Sequence, residues 1–387
     1  MNILFAVAAA GTLASSCYFI LVCLAVLRFR RTKIPAARET PPISVLKPLH
    51  GLEAGLRENL VTFFEQDYPN FELLFCARTL TDPSFDIVRE LAAQYPAVKV
   101  KLIASGEPTW PNARSFSVSR MISLATHDLL VVADSDVRVP RDFLRKVHEP
   151  VSSGRAALVT CLYRGQPRGG LWSGVEALGM SVELMSGVLV AEMLQGMQFA
   201  LGPATVTRKE VLERIGGMES VGDYFADDFE LGSLIARSGN AVEISSQVID
   251  HAVPPYSFAR SFRHQLLWMR SSRFSRPLGH IGTGLTYAMP WALLGFAWSI
   301  ETGHLRFGLL WLLTAAVNRI LQSIVTGWYA VRDRFALRRC WINPLRDMLG
   351  FAVWMLSFTG RTVHFHGAKY RFTDDGRLTL VSPPARQ

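Results

Sequence analysis

Charge is scarce in this sequence. Of 387 residues only 19% are Asp, Glu, Lys or Arg, while 49% are hydrophobic. A chain this apolar is not an ordinary soluble enzyme. Cysteine is scarce too: Cys17, Cys23, Cys76, Cys161 and Cys340 are scattered and form no CxxC pair. That leaves reduced, structural thiols on a cytosolic protein. The formal charge of +9 comes with no zinc-finger spacing and no RNA-binding signature, so nucleic acid is not an expected partner. The basic residues lie beside apolar runs instead, in Arg28-Phe29-Arg30-Arg31 and across residues 332–339. That placement points to a membrane surface.

Residues 2–27 are almost uncharged and long enough to cross a bilayer. A signal peptide is the rival reading. The run is too long for one, has no basic n-region, and is followed by its basic cluster. The expectation is a transmembrane anchor over residues 1–27 and a basic juxtamembrane linker over 28–42, with the linker on the cytosolic side.

From Ile43 the pattern alternates. Short apolar strands are expected at 43–46, 72–77, 98–103 and 129–133, separated by helices at 54–66, 84–94 and 113–125. Strands alternating with helices of this length define an α/β domain, residues 43–256, with a doubly wound, mostly parallel sheet. Such sheets bind ligands at the carboxyl ends of their strands.

The C-terminal third changes character. Residues 257–274 mix Phe258, Phe262, Leu266 and Trp268 with Arg260, Arg263, Arg270 and Arg273, as a membrane-surface helix does; the interfacial segment is taken as 257–280. Membrane helices are expected within 281–360. Residues 281–300 are apolar and contain Pro290, a kink former. Residues 307–330 are interrupted by Asn318 and Arg319, and a charge inside a span faces a bundle interior or a cavity. Residues 348–359 are too few to cross unaided and read as an interfacial or re-entrant helix. With both basic runs on the cytosolic side, 281–300 and 307–330 form an out-and-back pair, and residues 361–387 are a cytosolic tail. His364 and His366 sit two apart but have no partner ligands in view, and read as interfacial.

Three motifs carry chemistry. Asp134-Ser135-Asp136 ends the apolar strand at 129–133. Alternate residues of an extended segment face one way, so both carboxylates can reach one hard cation, Mg²⁺ or Mn²⁺, which could hold a diphosphate. An Asp-rich turn explains the motif equally well taken alone. The second is Phe225-Ala226-Asp227-Asp228-Phe229-Glu230 at a helix start. Capping and dipole compensation account for one or two acids there, but four lie between Asp223 and Glu230. Asp228 is the candidate general base for a sugar acceptor hydroxyl. The third is His264-Gln265-Leu266-Leu267-Trp268-Met269-Arg270, whose indole can stack on a sugar or anchor a helix at the interface.

Together with Ser44-Val45-Leu46-Lys47-Pro48-Leu49, Thr81-Asp82-Pro83, Gly196-Met197-Gln198-Phe199-Ala200-Leu201-Gly202, Arg208-Lys209-Glu210-Val211-Leu212 and Gly216-Gly217, these motifs make the chain resemble the ceramide glucosyltransferase family and, equally, the related bacterial hopanoid glycosyltransferases. The resemblance covers about residues 42–280. It implies a GT-A fold and a metal-dependent, inverting transfer from a UDP-sugar to the hydroxyl of a membrane lipid, ceramide or hopanoid in type. It also implies Asp228 as the catalytic base and Asp134 and Asp136 at the metal. Lys47, Pro48, Arg114, Asp134, His264, Gln265, Trp268 and Arg270 would form the donor site. A multi-pass protein with its catalytic domain in the cytosol follows, and the Ala- and Arg-rich composition suits a bacterial inner membrane. Three departures stand out. Thr79 occupies the place of an acidic residue. Arg114-Ser115-Phe116-Ser117 replaces a Lys-x-Asn-Asn segment. Leu267 replaces the arginine of the final motif, which would meet the departing diphosphate. A catalytically reduced lipid-binding homologue and a processive polysaccharide synthase are the competing readings; the latter needs more spans than this chain offers.

Overall fold

The structure is a computed structural model describing residues 3–32, 39–365 and 368–382. Two compact units share the chain. One comprises residues 33–163, 195–254 and 362–387, the other residues 1–32, 164–194 and 255–361.

The first unit is built on an eight-stranded sheet. Its strands are β1 (Ile43–Pro48), β2 (Phe71–Ala77), β3 (Lys99–Ala104), β4 (Leu129–Ala133), β5 (Val137–Arg138), β6 (Leu158–Pro167), β7 (Ala204–Arg208) and β8 (Val242–Val253), in spatial order β3-β2-β1-β4-β7-β6-β8-β5. The neighbours β3-β2-β1-β4 pair in parallel. All five side chains of β4 are buried, which explains why its sequence is unbroken Leu, Val and Ala: a parallel strand covered on both faces has no polar side. The four strands and the three intervening helices Leu56–Phe64, Ser84–Gln94 and Ala113–Leu124 lie within two residues of the expected positions.

The far half of the sheet is different. β7 runs antiparallel to β4 and β6 antiparallel to β7, and β5 pairs antiparallel with β8, setting Val137 opposite His251. A further antiparallel sheet joins β9 (Thr362–Phe365), β10 (Ala368–Phe372) and β11 (Leu378–Ser382). The segment read as a tail and as interfacial histidines therefore contains strands, with His364 in β9; His366 lies outside the described residues. Glu72, only 2% exposed, ties the amino ends of the parallel strands together. It accepts hydrogen bonds from Ser44 Oγ at 2.6 Å and Thr126 N at 2.6 Å and pairs with Lys101 Nζ at 2.9 Å. Burial opposes its ionisation, but these donors hold the carboxyl down at about 2.

The second unit is helical. Among the described residues, three helices are long and apolar enough to cross a membrane: Ile3–Arg31, Leu171–Gln195 and Leu305–Ala330. The first and third follow the expectation. The second lies in a stretch the sequence reading had left inside the catalytic domain. Residues 281–300 do not form one span. The helix Pro277–Thr283 and a short turn, Gly284–Thr286, precede the helix Met289–Glu301, which opens with Pro290 in its first turn. Proline is favoured there because it has no N–H to lose, so it starts a helix rather than kinking one. Thirteen residues rise about 20 Å, short of a bilayer core. Arg319 faces the interior, as expected of a charge within a span. It is 4% exposed on its side chain, pairs with Asp347 at 3.2 Å, and donates to the Thr286 carbonyl at 3.0 Å. The surface helix is Phe258–Ser275, capped by Ser257. Arg273 secures it to the C-terminal end of the helix Asn343–Ser357, donating to the carbonyls of Ser357 at 3.1 Å and Phe358 at 2.8 Å.

Candidate active site

The acidic motif lies at the carboxyl end of β4, beside β1. Lys47, near the end of β1, is wholly buried. Its ammonium donates to the main-chain carbonyl of Asp134 at 2.8 Å and lies 3.6 Å from the centre of the Phe63 ring. Burial pushes this ammonium down to about 7, against the charges of Asp134, Asp136 and Glu53. Lys47 thus positions the Asp134 loop rather than presenting a free cation; Pro48 is half-buried beside it. The same loop is fixed from two other directions: Asn59 Nδ2 donates to the Ser135 carbonyl at 3.2 Å, and Ser135 Oγ donates to Glu53 at 2.6 Å.

Arg114 is the hub. It stands in the first turn of the helix Ala113–Leu124, whose cap Asn112 accepts from Ser115 N at 3.1 Å and donates to the Tyr224 carbonyl at 2.9 Å. From there Arg114 donates Nε to Asp134 Oδ1 at 2.7 Å, Nη1 to Asp227 Oδ2 at 2.8 Å, and Nη2 to the Gly202 carbonyl at 2.9 Å. A planar fork spreads its donors over three edges and so reaches three separate segments, whereas the three N–H groups of a lysine sit on one nitrogen. Ser115 Oγ also donates to Asp227, at 2.7 Å. Asp227 is 4% exposed, so it holds the site together rather than facing a ligand.

Asp228, the next residue, is half-buried. Its carboxylate lies against Gly202, where an added Cβ would fall 3.0 Å from Oδ2. The helix Asp227–Arg237 that carries it packs closely through Gly232, where a Cβ would meet Ala200 N at 2.2 Å. Phe229 stacks on Phe199 at 5.3 Å. The two glycines therefore let this helix start come down onto the segment before β7. Burial, and then the charge of Asp227, push the Asp228 carboxyl up to about 7. Tyr163, buried and 5.4 Å from the His251 ring, is held above its usual range by burial and by the charge of Asp228 and Asp136.

His251 reaches Asp136 through the β5–β8 pairing, at 3.3 Å. Burial works against the Asp136 carboxylate, but His251 and Lys47 hold it below the usual range. Asp136 Oδ1 is buried, with the ion-pair approach of His251 Nδ1 at 3.3 Å as its contact. Such an oxygen suits a hard cation. Among the described residues no group of three or more His, Cys, Asp and Glu converges as a metal site. A cation held here would have Asp136 and Asp134 as its protein side and would take further ligands from substrate or water, as Mg²⁺ sites commonly arrange.

Asp82, beside Thr79 in sequence, is committed to the backbone. It accepts from Gly51 N at 3.2 Å, Ser84 N at 2.9 Å and Ser84 Oγ at 2.6 Å, which caps one helix and fastens the loop after β1. Thr79 bonds Thr81 at 3.0 Å.

The remaining sequence candidates belong to the helical unit, on the helix Phe258–Ser275. His264 Nδ1 meets Glu176 Oε1 at 2.6 Å, and Trp268 Nε1 donates to His264 Nε2 at 3.1 Å. The indole N–H fixes the acceptor nitrogen, so His264 carries its proton on Nδ1 toward Glu176. Gln265 Nε2 donates to Ser261 Oγ at 3.0 Å, and Ser261 Oγ donates to Glu176 at 2.5 Å. Arg270 is half-buried near Gly360, and Arg263 turns back to its own helix, donating to the Ala259 carbonyl at 3.1 Å. Sequence reasoning missed Glu176, Asn112, Glu53 and His251 as members of these networks. Glu176 alone had a visible signal, a carboxylate within a long apolar stretch.

A parallel β3-β2-β1-β4 half, an antiparallel continuation and an acid cluster at the carboxyl end of β4 define a glycosyltransferase of the GT-A type. The chain matches glycosyl transferase family 21 over residues 7–378 and belongs to that family. It is 28% identical over 207 residues to ceramide glucosyltransferase 1 of Caenorhabditis elegans, covering 53% of this chain and 44% of the relative. It is likewise 28% identical over 215 residues to ceramide glucosyltransferase 3 of the same organism, with 55% and 47% covered. The matched region thus spans under half the length of these relatives. In fold it is similar to mannosyltransferase PcManGT from Pyrobaculum calidifontis, solved in complex with GDP-Man and Mn2+. The TM-score is 0.60 at 19% identity, over 92% of this chain and 99% of that one.

Proposed function

We propose that this membrane glycosyltransferase moves a sugar from a UDP-sugar to the hydroxyl of a membrane lipid, with inversion, at the cytosolic face of the membrane. The names of the C. elegans relatives favour a ceramide-type acceptor, and a hopanoid acceptor with an N-acetylglucosaminyl-type donor is the alternative. The observation that carries the reading is Asp228: a half-buried carboxylate with its proton affinity raised to about 7, at the start of a helix beside the clamped acid pair. A base of that strength takes a proton from an attacking hydroxyl near neutral pH. Asp134 and Asp136 would hold Mg²⁺ or Mn²⁺, which when bound supplies charge neutralisation to a diphosphate leaving group. Arg114 fixes Asp134 and Asp227, and Lys47 fixes the loop that carries the acids, so the carboxylates need not reorganise as charge develops. Purified protein in lipid bilayers, given a panel of nucleotide-sugars, should release UDP only when an acceptor lipid is present. No nucleotide release with any donor would favour the catalytically reduced homologue, and a polymeric product the processive synthase.

A further inference from the structure

We infer that the helical unit holds one anionic phospholipid of the surrounding bilayer at a fixed site, apart from any acceptor, between the helices Ile3–Arg31 and Leu305–Ala330. These two membrane-length helices leave a groove of about 370 Å³ between them. Its walls are Cys23, Val26 and Leu27 on one side and Ile324, Val325 and Trp328 on the other. The second wall is not regular α-helix. Ser323–Ala330 is a π-helical stretch, a wider turn that recurs at functional sites. An apolar groove on membrane helices fits an acyl chain, and by itself it would select no lipid.

The selection comes from the rim. Tyr329 completes the groove, and two guanidinium groups lie over its ring, those of Arg30 and Arg332, each 5.7 Å from the centroid. Arg332 is at the same distance from the Trp328 ring. Both arginines are exposed, and among the described residues neither lies within ion-pair distance of a carboxylate. Arg28, two residues before Arg30, is paired with Glu192 at 3.3 Å, so that acid is already taken. Two like charges converging on one ring repel, and an anion between them relieves that cost. Arg332 is also the one non-glycine among the described residues with a left-handed backbone, φ 58°. Its conformation is enforced: its N–H donates to the Trp328 carbonyl at 3.1 Å, and its own carbonyl accepts from Arg164 Nη1 at 2.9 Å. Non-glycine residues rarely adopt this backbone, and strain of this kind marks functional positions. Here it turns the last residue after a membrane helix so that its guanidinium lies over the groove mouth. Phosphate above and acyl chain below is the chemistry of an anionic phospholipid.

The full chain, purified in mild detergent and titrated in native mass spectrometry, tests this with dioleoylphosphatidylglycerol against dioleoylphosphatidylcholine. At about 1 kcal/mol per arginine near a lipid phosphate, two arginines give a preference of about thirtyfold for the anionic lipid at the first-bound site. Arg332→Gly keeps the left-handed backbone at no steric cost and should remove about fivefold of it; adding Arg30→Gln should abolish it. Val325→Trp fills the groove and should weaken first-site binding of both lipids. Equal affinity for the two lipids in the wild-type protein overturns the inference, and so does an Arg332→Gly variant that keeps the full preference. Loss of the preference in millimolar inorganic phosphate would mean that the arginines bind a free anion and no lipid, and an unchanged Val325→Trp would mean that the acyl chain lies elsewhere. Either result also overturns it.

Discussion

Asp228→Asn is the most informative single change, because it should damage activity and improve stability at once. The carboxyl is raised from an ordinary 3.8 to about 7, roughly three units, which sets an upper bound of about 4 kcal/mol on the cost of ionising it in the folded state. Asp228 is half-buried, and solvent screening should leave ~1–2 kcal/mol of that. The sign follows from linkage. A folded-state pKa above the unfolded value favours the native state fully below about pH 4. That contribution fades as pH rises through about 7. The Asn variant keeps the shape without the charge, so its apparent melting temperature in detergent should match wild type near pH 4 and exceed it increasingly toward pH 8. Turnover should fall 10²–10⁴-fold, the usual worth of a general base, while nucleotide-sugar binding by calorimetry stays close to wild type.

The pH profile of wild-type kcat/KM should rise with a midpoint near 7, since only the ionised carboxylate accepts the proton. A divalent cation on Asp134 and Asp136 would favour the ionised form of Asp228, so the midpoint should drop as metal is added. An Asn variant retaining more than about a tenth of wild-type turnover would remove Asp228 from the base role. A melting-temperature difference that does not grow with pH would refute the electrostatic argument independently.

Asp134→Ala and Asp136→Ala should each raise the metal concentration needed for donor binding; full activity in a chelator would mean that basic residues neutralise the diphosphate instead. Arg114→Ala strands Asp227, already 4% exposed, and should lower stability by about 3–5 kcal/mol, read as a drop in melting temperature that Arg114→Lys only partly restores. Glu72→Gln should cost up to about 3 kcal/mol at pH 7, from a carboxyl lowered from 4.5 to about 2. That contribution is present above about pH 4.5 and lost as pH falls toward 2, so the two proteins should converge in stability in acid.

The parallel half of the sheet was legible because parallel strands are buried on both faces and so write an unbroken apolar run, as in Leu129–Ala133. The antiparallel half was not. β7 and β8 carry Thr, Glu, Ser and Gln among their apolar residues, and their pairing is set by contacts far apart in sequence. Asp134, Asp136 and Asp228 could be singled out because acids at a strand end or helix start stand out locally. The role of His251 could not be read locally, since it reaches Asp136 only through the register that sets Val137 opposite it. Lys47 was placed in the donor site by the family resemblance. Its burial over Phe63 and its bond to the Asp134 carbonyl depend on a helix that sequence pattern locates but does not orient. In the helical unit, mean hydropathy identified the outer spans but not Leu171–Gln195, whose Glu176 and Glu183 mask it. Both acids are engaged, Glu176 by Ser261 and His264 and Glu183 by Tyr287 Oη at 2.9 Å.

The charges around Asp134 argue for a cation more strongly than the motif does. Asp134, Asp136, Asp227 and Asp228 come together with one permanently charged partner, Arg114, and a Lys47 ammonium whose proton is loosened to about 7. Arg114 is consumed by Asp134 and Asp227 together, and His251 can offset Asp136 only when protonated. The balance left over is negative, and a nucleotide diphosphate is negative too. Bringing them together without an intervening cation would set like charges in a partly desolvated pocket, where their repulsion is several-fold that in water. Asp136 Oδ1, buried and approached by His251 Nδ1 at 3.3 Å, would accept the ion that removes this conflict. It follows that Asp136→Asn, which keeps the size of the side chain but halves its oxygen donors and removes its charge, should impair donor binding more than Asp134→Asn. Asp134 already shares its charge with Arg114, and Asp136 has no comparable permanent partner.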